Sequence, residues 1–293
     1  MQIDINEKSV VMHFFSSLGF ESLAWASRRF HTPVPKEALV LEVGSGGNPY
    51  PRSNVLLDAF ETTRERHWVP LTSDRPTVLG FVENLPFKDK SFDYVIASHV
   101  LEHSKDPVKF ISELQRVAKA GYIEVPDAFL ERVNPYKDHR LEITLRNDKL
   151  IITKKKNWKH DLSVVELYED RVKRYLTTIL IPKRPFEFHV RYYWKDEINY
   201  KITNPEIDSN WEAPENDICY AQNGLILRIR EGVRNMLRNI FSQRSRNKGI
   251  DIKDMLRCTK CYGDLLKSNK IEMACNACGS VYKVRNGIFV MNE

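Results

Sequence analysis

Helical spacing of apolar positions runs through residues 9–29, where Phe14, Leu18, Leu23 and Trp25 are expected to be buried on one face of a single helix. Pro33-Val34-Pro35 stops it. Residues 38–43 then form a short, largely apolar run that breaks into Gly44-Ser45-Gly46-Gly47. A buried strand running straight into glycines is how a nucleotide-binding α/β sheet begins. Further strands are expected over 54–58, 77–82, 92–98 and 121–125, the last closed by Pro126. Residues 106–119 read as an amphipathic helix. Asp106 is the N-cap, Pro107 lies in the first turn, and Phe110, Ile111, Leu114 and Val117 share the apolar face. This alternation predicts an α/β, Rossmann-like, largely parallel sheet with helices on both faces.

Downstream, apolar runs at 141–145 and 150–153 flank Arg146-Asn147-Asp148-Lys149 and predict a hairpin, although the turn lacks the favoured glycine. A helix over 164–180 and a strand over 186–194 follow, with 198–202 expected to pair with that strand. Residues 204–216 are polar and contain proline, as loops do. Over 225–241, Leu225, Ile229, Val233, Met236, Leu237 and Ile240 make one face of an amphipathic helix. Arg228, Arg230, Arg234 and Arg238 crowd the rest of it, and Arg244, Arg246 and Lys248 follow. A helix docked on the enzyme, a peripheral membrane contact and an RNA contact are all compatible with this pattern. The expected organisation is a catalytic domain over 1–205, with 136–154 as an inserted substrate hairpin. A linker and basic helix over 206–250 and a small module over 251–293 complete it.

Composition adds little to this picture. The chain is 42% hydrophobic and 29% charged, with a net charge of +6, values of a globular protein with a weak preference for anionic partners. No apolar run approaches the ~20 residues that span a bilayer. The N-terminus is acidic where a secretory signal is basic, so a cytoplasmic location is expected.

The cysteines change the picture more. Cys258 and Cys261 form one CxxC pair, Cys275 and Cys278 another, and thirteen residues separate them. Two such turns can complete a tetrahedral thiolate site, which predicts a structural Zn2+ ribbon; Cys219 stands apart. Four cysteines leave no open coordination position, so the module is not expected to be catalytic.

The glycine loop lets backbone approach a nucleotide without an intervening side chain. Asp58, at the end of the next strand, is placed to accept hydrogen bonds from ribose hydroxyls. The carboxylate follows the first glycine by fewer than the ~20 residues of dinucleotide enzymes, and no GxGxxG is present.

The segments LEVGSGG, LLD, ENLPFKDKSFDYVIASHVLEH and ELQRVAKAGYIEVP, within 39–126, resemble class I S-adenosylmethionine-dependent methyltransferases of the ubiquinone- and menaquinone-biosynthesis type. That resemblance implies S-adenosyl-L-methionine as the methyl donor. Glu42, Gly44, Ser45 and Gly46 would line its methionine and adenosine portions and Asp58 would hold the ribose. Val82 and Glu83 would flank adenine, with Ser98 and His99 near the methyl group. Two departures stand out: Phe81 replaces an acidic residue frequent in the family, and 47–53 is too short for the usual first helix.

His99, Glu102, His103, Asp127 and His139 follow the fourth and fifth strands, at the carboxyl edge where ligands bind in open sheets. His103 and His139 are the candidate bases. Tyr136, His139, Arg140 and Arg146 could contact an anionic or sugar-like acceptor. The C-terminal module resembles the short zinc-ribbon partner subunits of tRNA and rRNA methyltransferases, which implies stabilisation in cis or a protein partner. The expected activity is methylation of a small-molecule or saccharide acceptor. An RNA methyltransferase and a non-catalytic scaffold of the same fold are the alternatives.

Overall fold

The computed structural model describes residues 8–63, 66, 68–158, 161–212, 232–233, 235–238, 240–267 and 271–292. Its strands are β1 (Val40–Val43), β2 (Val55–Asp58), β3 (Thr77–Leu79), β4 (Tyr94–Ser98), β5 (Ala120–Pro126), β6 (Leu141–Arg146), β7 (Lys149–Lys154), β8 (His189–Lys195), β9 (Tyr200–Ile202), β10 (Leu265–Lys267), β11 (Glu272–Cys275), β12 (Val281–Arg285) and β13 (Ile288–Val290). The chain divides into two compact units. One, the ribbon unit, comprises Pro35–Ile96, Ile111–Lys119 and Asp217–Glu293; the other, the hairpin unit, comprises Met1–Val34, Ala97–Phe110 and Ala120–Asn216.

In the ribbon unit the strands run in the order β10-β11-β12-β13-β3-β2-β1-β4. β1 pairs with β2, and β2 with β3, both in parallel. Every residue of β1, β2 and β3 is buried, the pattern of parallel strands covered on both faces. This is the α/β, Rossmann-like fold expected from the apolar runs. At its edge, β13 pairs in parallel with β3, Phe289 opposite Val78. The cysteine module therefore continues the core sheet, and Leu71, Leu79, Ile288 and Val290 share one apolar cluster.

In the hairpin unit β5 and β8 pair antiparallel along seven residues, and β6, β7 and β9 form a separate sheet. The β6–β7 turn is carried by Asn147 and Asp148, both at positive φ (49° and 55°), the backbone that two-residue hairpin turns require. Asn and Asp tolerate it better than other non-glycine residues, so the turn closes without glycine. From 162 to 183 the chain is helical, alternating α turns with π turns at Tyr168–Val172 and Leu176–Leu180. It packs Tyr168 and Leu176 against Leu130 and Phe188.

Three expectations need correction. The single helix over 9–29 is two, α1 (Val10–Ser17) and α2 (Glu21–Ser27). Gly19, at φ +77°, ends the first in the left-handed conformation usual at a helix C-terminus. Phe14, Leu18 and Leu23, expected inside, are 58%, 54% and 50% exposed. The strand at 198–202 pairs with β7, not with β8.

Within the basic connector, Leu225, Arg228, Ile229, Arg230 and Arg234, like Cys219, lie outside the described residues. The rest is docked on the ribbon unit. Arg246 donates to the carbonyls of Lys36, Glu37 and Ala38, and Arg238 pairs with Asp74. Contact is through the polar side, and Val233, Met236 and Ile240 face outward. No helix among the described residues is long and apolar enough to cross a membrane.

Candidate functional site

The turn after β1 is made of backbone. Gly44 and Gly46 sit at φ +64° and +57°, where a β-carbon is costly. The Gly46 N–H donates to Asp58 Oδ2 at 2.9 Å, so the loop and the end of β2 converge. A β-carbon on Gly47 would lie 2.6 Å from Val69 Cγ1 and 3.0 Å from the Pro70 carbonyl oxygen, so glycine is required there by space as well. Glu42 is buried and accepts from the Tyr50 N–H at 2.8 Å and from the Ser53 hydroxyl, fixing the segment that stands in place of a first helix. The Ser45 hydroxyl is buried and, among the described residues, has no hydrogen-bond partner. A native structure satisfies such a group with a ligand or water.

Asp58 carries a second burden. Its Oδ1 accepts from Arg66 Nη1 at 2.5 Å and from the Phe60 N–H at 3.2 Å, and Arg66 Nη2 donates to the Phe60 carbonyl. Beyond the ends of β2 and β3, the half-exposed rings of Phe60 and Phe81 meet edge to face, centroids 5.9 Å apart. Phe81 is thus half of an aromatic pair beside Val82, which is buried, and Glu83, which is partly so. Neither Phe60 nor Arg66 was identifiable from the sequence, because neither falls in a motif.

The hairpin unit holds a different kind of site. β4 ends at Ser98, and His99 follows at φ +55°, its N–H donating to the Glu124 carbonyl at 2.7 Å. Glu124, fully buried on β5, takes two hydrogen bonds from Arg28 (2.7 and 2.9 Å), one from the Tyr122 hydroxyl (2.5 Å) and one from Ser98 (3.1 Å). Burial disfavours its charge, but His99 and Arg28 outweigh this and hold it well below the usual carboxylate range. For His99, desolvation of the half-exposed ring opposes the charged form, while Glu102 and Glu124 raise it to about 9.

Glu102, His103 and His139 lie together, with one ligating atom from each within 4.8 Å of the others. The two imidazoles meet edge to face, centroids 4.7 Å apart. His139, buried, is held by Glu131 through Nδ1 at 2.6 Å rather than by the adjacent Asp138, and Tyr136 stacks on its ring. Glu131, also buried, is bound in turn by Lys155 at 2.6 Å. His103 Nδ1 lies 3.2 Å from the Asp138 carbonyl. Asp127 caps the short helix Ala128–Val133, Arg140 reaches the carbonyls of Ser209 and Trp211, and Arg146 is exposed on the hairpin.

At the C-terminus the two CxxC turns repeat one geometry. Tyr262 N–H donates to Cys258 O and Gly279 N–H to Cys275 O, both these residues having positive φ (63° and 72°). Cys258 N–H returns to Gly263 O, and Cys275 N–H to Ser280 O. The sulfurs of Cys258 and Cys278 are 3.6 Å apart and those of Cys261 and Cys275 3.3 Å, near the ~3.8 Å edge of a tetrahedron with 2.3 Å zinc–sulfur bonds. A β-carbon on Gly263 would come within 3.3 Å of two of these sulfurs, so the cradle admits only glycine comfortably. Burial opposes ionisation of Cys258, but the Tyr282 hydroxyl and backbone N–H groups bring it down to about 6.

A parallel β3-β2-β1 sheet with a glycine turn after its first strand and a carboxylate after its second is the arrangement of a Rossmann-like, nucleotide-binding α/β domain. The family model described as a methyltransferase domain matches residues 53–123. An uncharacterised protein of Methanocaldococcus jannaschii is 30% identical over 81 residues, 28% of this chain and 40% of that protein. An uncharacterised methyltransferase of Schizosaccharomyces pombe is 49% identical over 43 residues, 15% of this chain and 16% of that protein. The chain thus spans less than half the length of either curated relative. Among solved structures, a chain of the complex between the Haloferax volcanii Trm112 methyltransferase activator and a methyltransferase is 18% identical. That match covers 46% of this chain and 78% of the other, with a TM-score of 0.29.

Proposed function

We propose that this protein transfers a methyl group from S-adenosyl-L-methionine to a small-molecule or saccharide acceptor. The observation that carries the reading is the buried, unpartnered hydroxyl of Ser45, in a loop whose glycines turn toward Asp58. Gly44, Ser45 and Gly46 would receive the donor along the backbone, Glu42 would hold the loop in shape, and Asp58 would take the ribose hydroxyls. Phe60, Phe81, Val82 and Glu83 would border the adenine. The bound donor supplies an already activated methyl group, so the chain's own task is to orient the acceptor and receive its proton.

What supports a small acceptor over RNA is the state of the basic connector. Arg238 and Arg246, which could have served RNA, are engaged with the ribbon unit. Ser98 and His99 are the candidates for contact near the reacting methyl, and His103 and His139 for handling the acceptor. The four cysteines would hold a structural Zn2+ ion, and the ribbon would stabilise the sheet in cis through β13.

One observation favours a second reading, a scaffold that binds no donor: Arg66 lies on the Asp58 oxygen that a ribose hydroxyl would need. Calorimetry with S-adenosylmethionine on zinc-loaded protein separates the two. Saturable one-to-one binding that is lost in Asp58→Ala supports the enzyme. No heat from folded protein leaves the scaffold.

A further inference from the structure

Glu102 is a carboxylate in the wrong place for a structural residue. It is 2% exposed, and among the described residues neither of its oxygens receives a hydrogen bond; its nearest recorded cation is His99, with Nδ1 3.5 Å away. An ionised carboxylate left without hydrogen bonds in an interior costs several kcal/mol, so such groups are paired or coordinate metals. The groups beside it, besides His99, are the imidazoles of His103 and His139.

These two rings are prepared for one role. Glu131 Oε2 accepts from His139 Nδ1, which fixes the proton on Nδ1 and leaves the lone pair on Nε2. The Asp138 carbonyl, 3.2 Å from His103 Nδ1, selects the same tautomer there. A carboxylate or carbonyl behind Nδ1 is the outer support typical of metal-binding histidines, and it raises the basicity of the ligating nitrogen. Lys155 and the Tyr136 N–H hold Glu131 in turn, and Tyr136 stacks on the His139 ring, so the support is itself rigid.

We propose that Glu102, His103 and His139 form a second metal centre, binding one divalent first-row transition ion through two imidazole nitrogens and one carboxylate oxygen. Two nitrogens and one oxygen suit Mn2+, Fe2+, Co2+ or Zn2+ and disfavour Mg2+ and Ca2+, which prefer oxygen alone. Three protein ligands leave positions open for oxygen ligands from outside the chain, unlike the closed four-cysteine site. The two centres are also chemically separate, since the thiolate set selects softer ions.

The test is a Mn2+ titration of full-length protein carrying one equivalent of zinc per chain, which the four thiolates take first, followed by the loss of the free Mn2+ electron paramagnetic resonance signal. One Mn2+ per chain is expected, with affinity at least tenfold weaker in Glu102→Gln and His139→Gln and about tenfold weaker in Glu131→Gln. Should a variant fail to fold by circular dichroism, the unaltered chain still decides. Sub-stoichiometric Mn2+ must broaden the imidazole proton resonances of His103 and His139 ahead of those of His13 and His31. Absence of stoichiometric binding, full affinity in folded Glu102→Gln, or uniform broadening of all histidines overturns the proposal.

Discussion

The glycine loop of the ribbon unit and the charged cluster of the hairpin unit are built from opposite materials. In the loop the functional surface is main chain: two glycines at positive φ, an N–H bound to Asp58, and spaces that a single β-carbon would close. In the cluster it is side chains, with Glu102, Glu124 and Glu131 buried among His99, Arg28 and Lys155. A backbone site is disturbed by adding atoms and a side-chain site by removing charge. The two should therefore fail in different ways.

The largest failure is expected where neither material suffices. The ribbon's short strands β10 to β13 enclose little core, and the proposed zinc ion, whose binding is worth of order 10 kcal/mol in such modules, would hold them. Cys275→Ser, or removal of zinc by a chelator, should unfold it. Because β13 is the parallel partner of β3, hydrogen exchange at Val78 and Leu79 should accelerate in the same step. Unchanged protection there after complete zinc loss would mean that the strand pairing stands without the metal.

Next comes the buried ion pair. Arg28→Met removes the guanidinium from Glu124, which is fully buried and keeps only Tyr122, Ser98 and His99, and should cost about 3 kcal/mol in urea unfolding. The pair also sets a pH dependence. The folded-state pKa of Glu124 is depressed, so its contribution is present above the ordinary carboxylate value and is lost as pH falls through the folded value. Wild type should therefore lose stability between about pH 4 and lower values, more steeply than Arg28→Met, in which the carboxylate has no guanidinium to hold its charge. Equal slopes would show that Arg28 is not the cause of the shift.

Smaller, and of the other kind, is Gly46→Ala. The added methyl must be carried at φ +57° and meets Arg66 Cδ at 3.2 Å, a cost of about 1–2 kcal/mol that chemical denaturation would register. Donor binding should fall with it, since the Gly46 N–H orients Asp58. A neutral result would remove the geometric argument for glycine here.

The same contrast explains what could be read from the sequence. The apolar runs before Gly44 and Asp58 and the two CxxC turns lie within a few residues of one another, so local spacing was enough to place the α/β fold and the four-cysteine cluster. The charged cluster was only half visible. His99, Glu102, His103 and His139 could be listed as following β4 and β5, but Arg28 meets Glu124 across ninety-six positions of chain. Such pairs carry no local periodicity. The N-terminal helix misled for a related reason: apolar spacing continued through Gly19, and the sequence pattern does not say that the backbone turns left-handed there. Pairing of β9 with β7 was likewise decided by tertiary contacts, since a three-residue strand carries too little pattern to choose a neighbour.

The finest test of the contrast is Arg66, a side chain lying on the backbone site. Its guanidinium binds Asp58 Oδ1 and the Phe60 carbonyl, and its Cδ lies near Gly46, so it occupies the surroundings in which a ribose would be held. If Asp58 receives the donor, the ribose hydroxyls and Arg66 compete for the same oxygen, and the ion pair must be broken before the donor is seated. The two side chains are only 16% and 8% exposed, so the pair is largely buried. Arg66→Ala should then tighten S-adenosylmethionine binding several-fold in calorimetry, at a cost in unfolding free energy for the Asp58 carboxylate left behind. Weaker binding in the variant would reverse the assignment, making the guanidinium part of the pocket wall and Asp58 its holder.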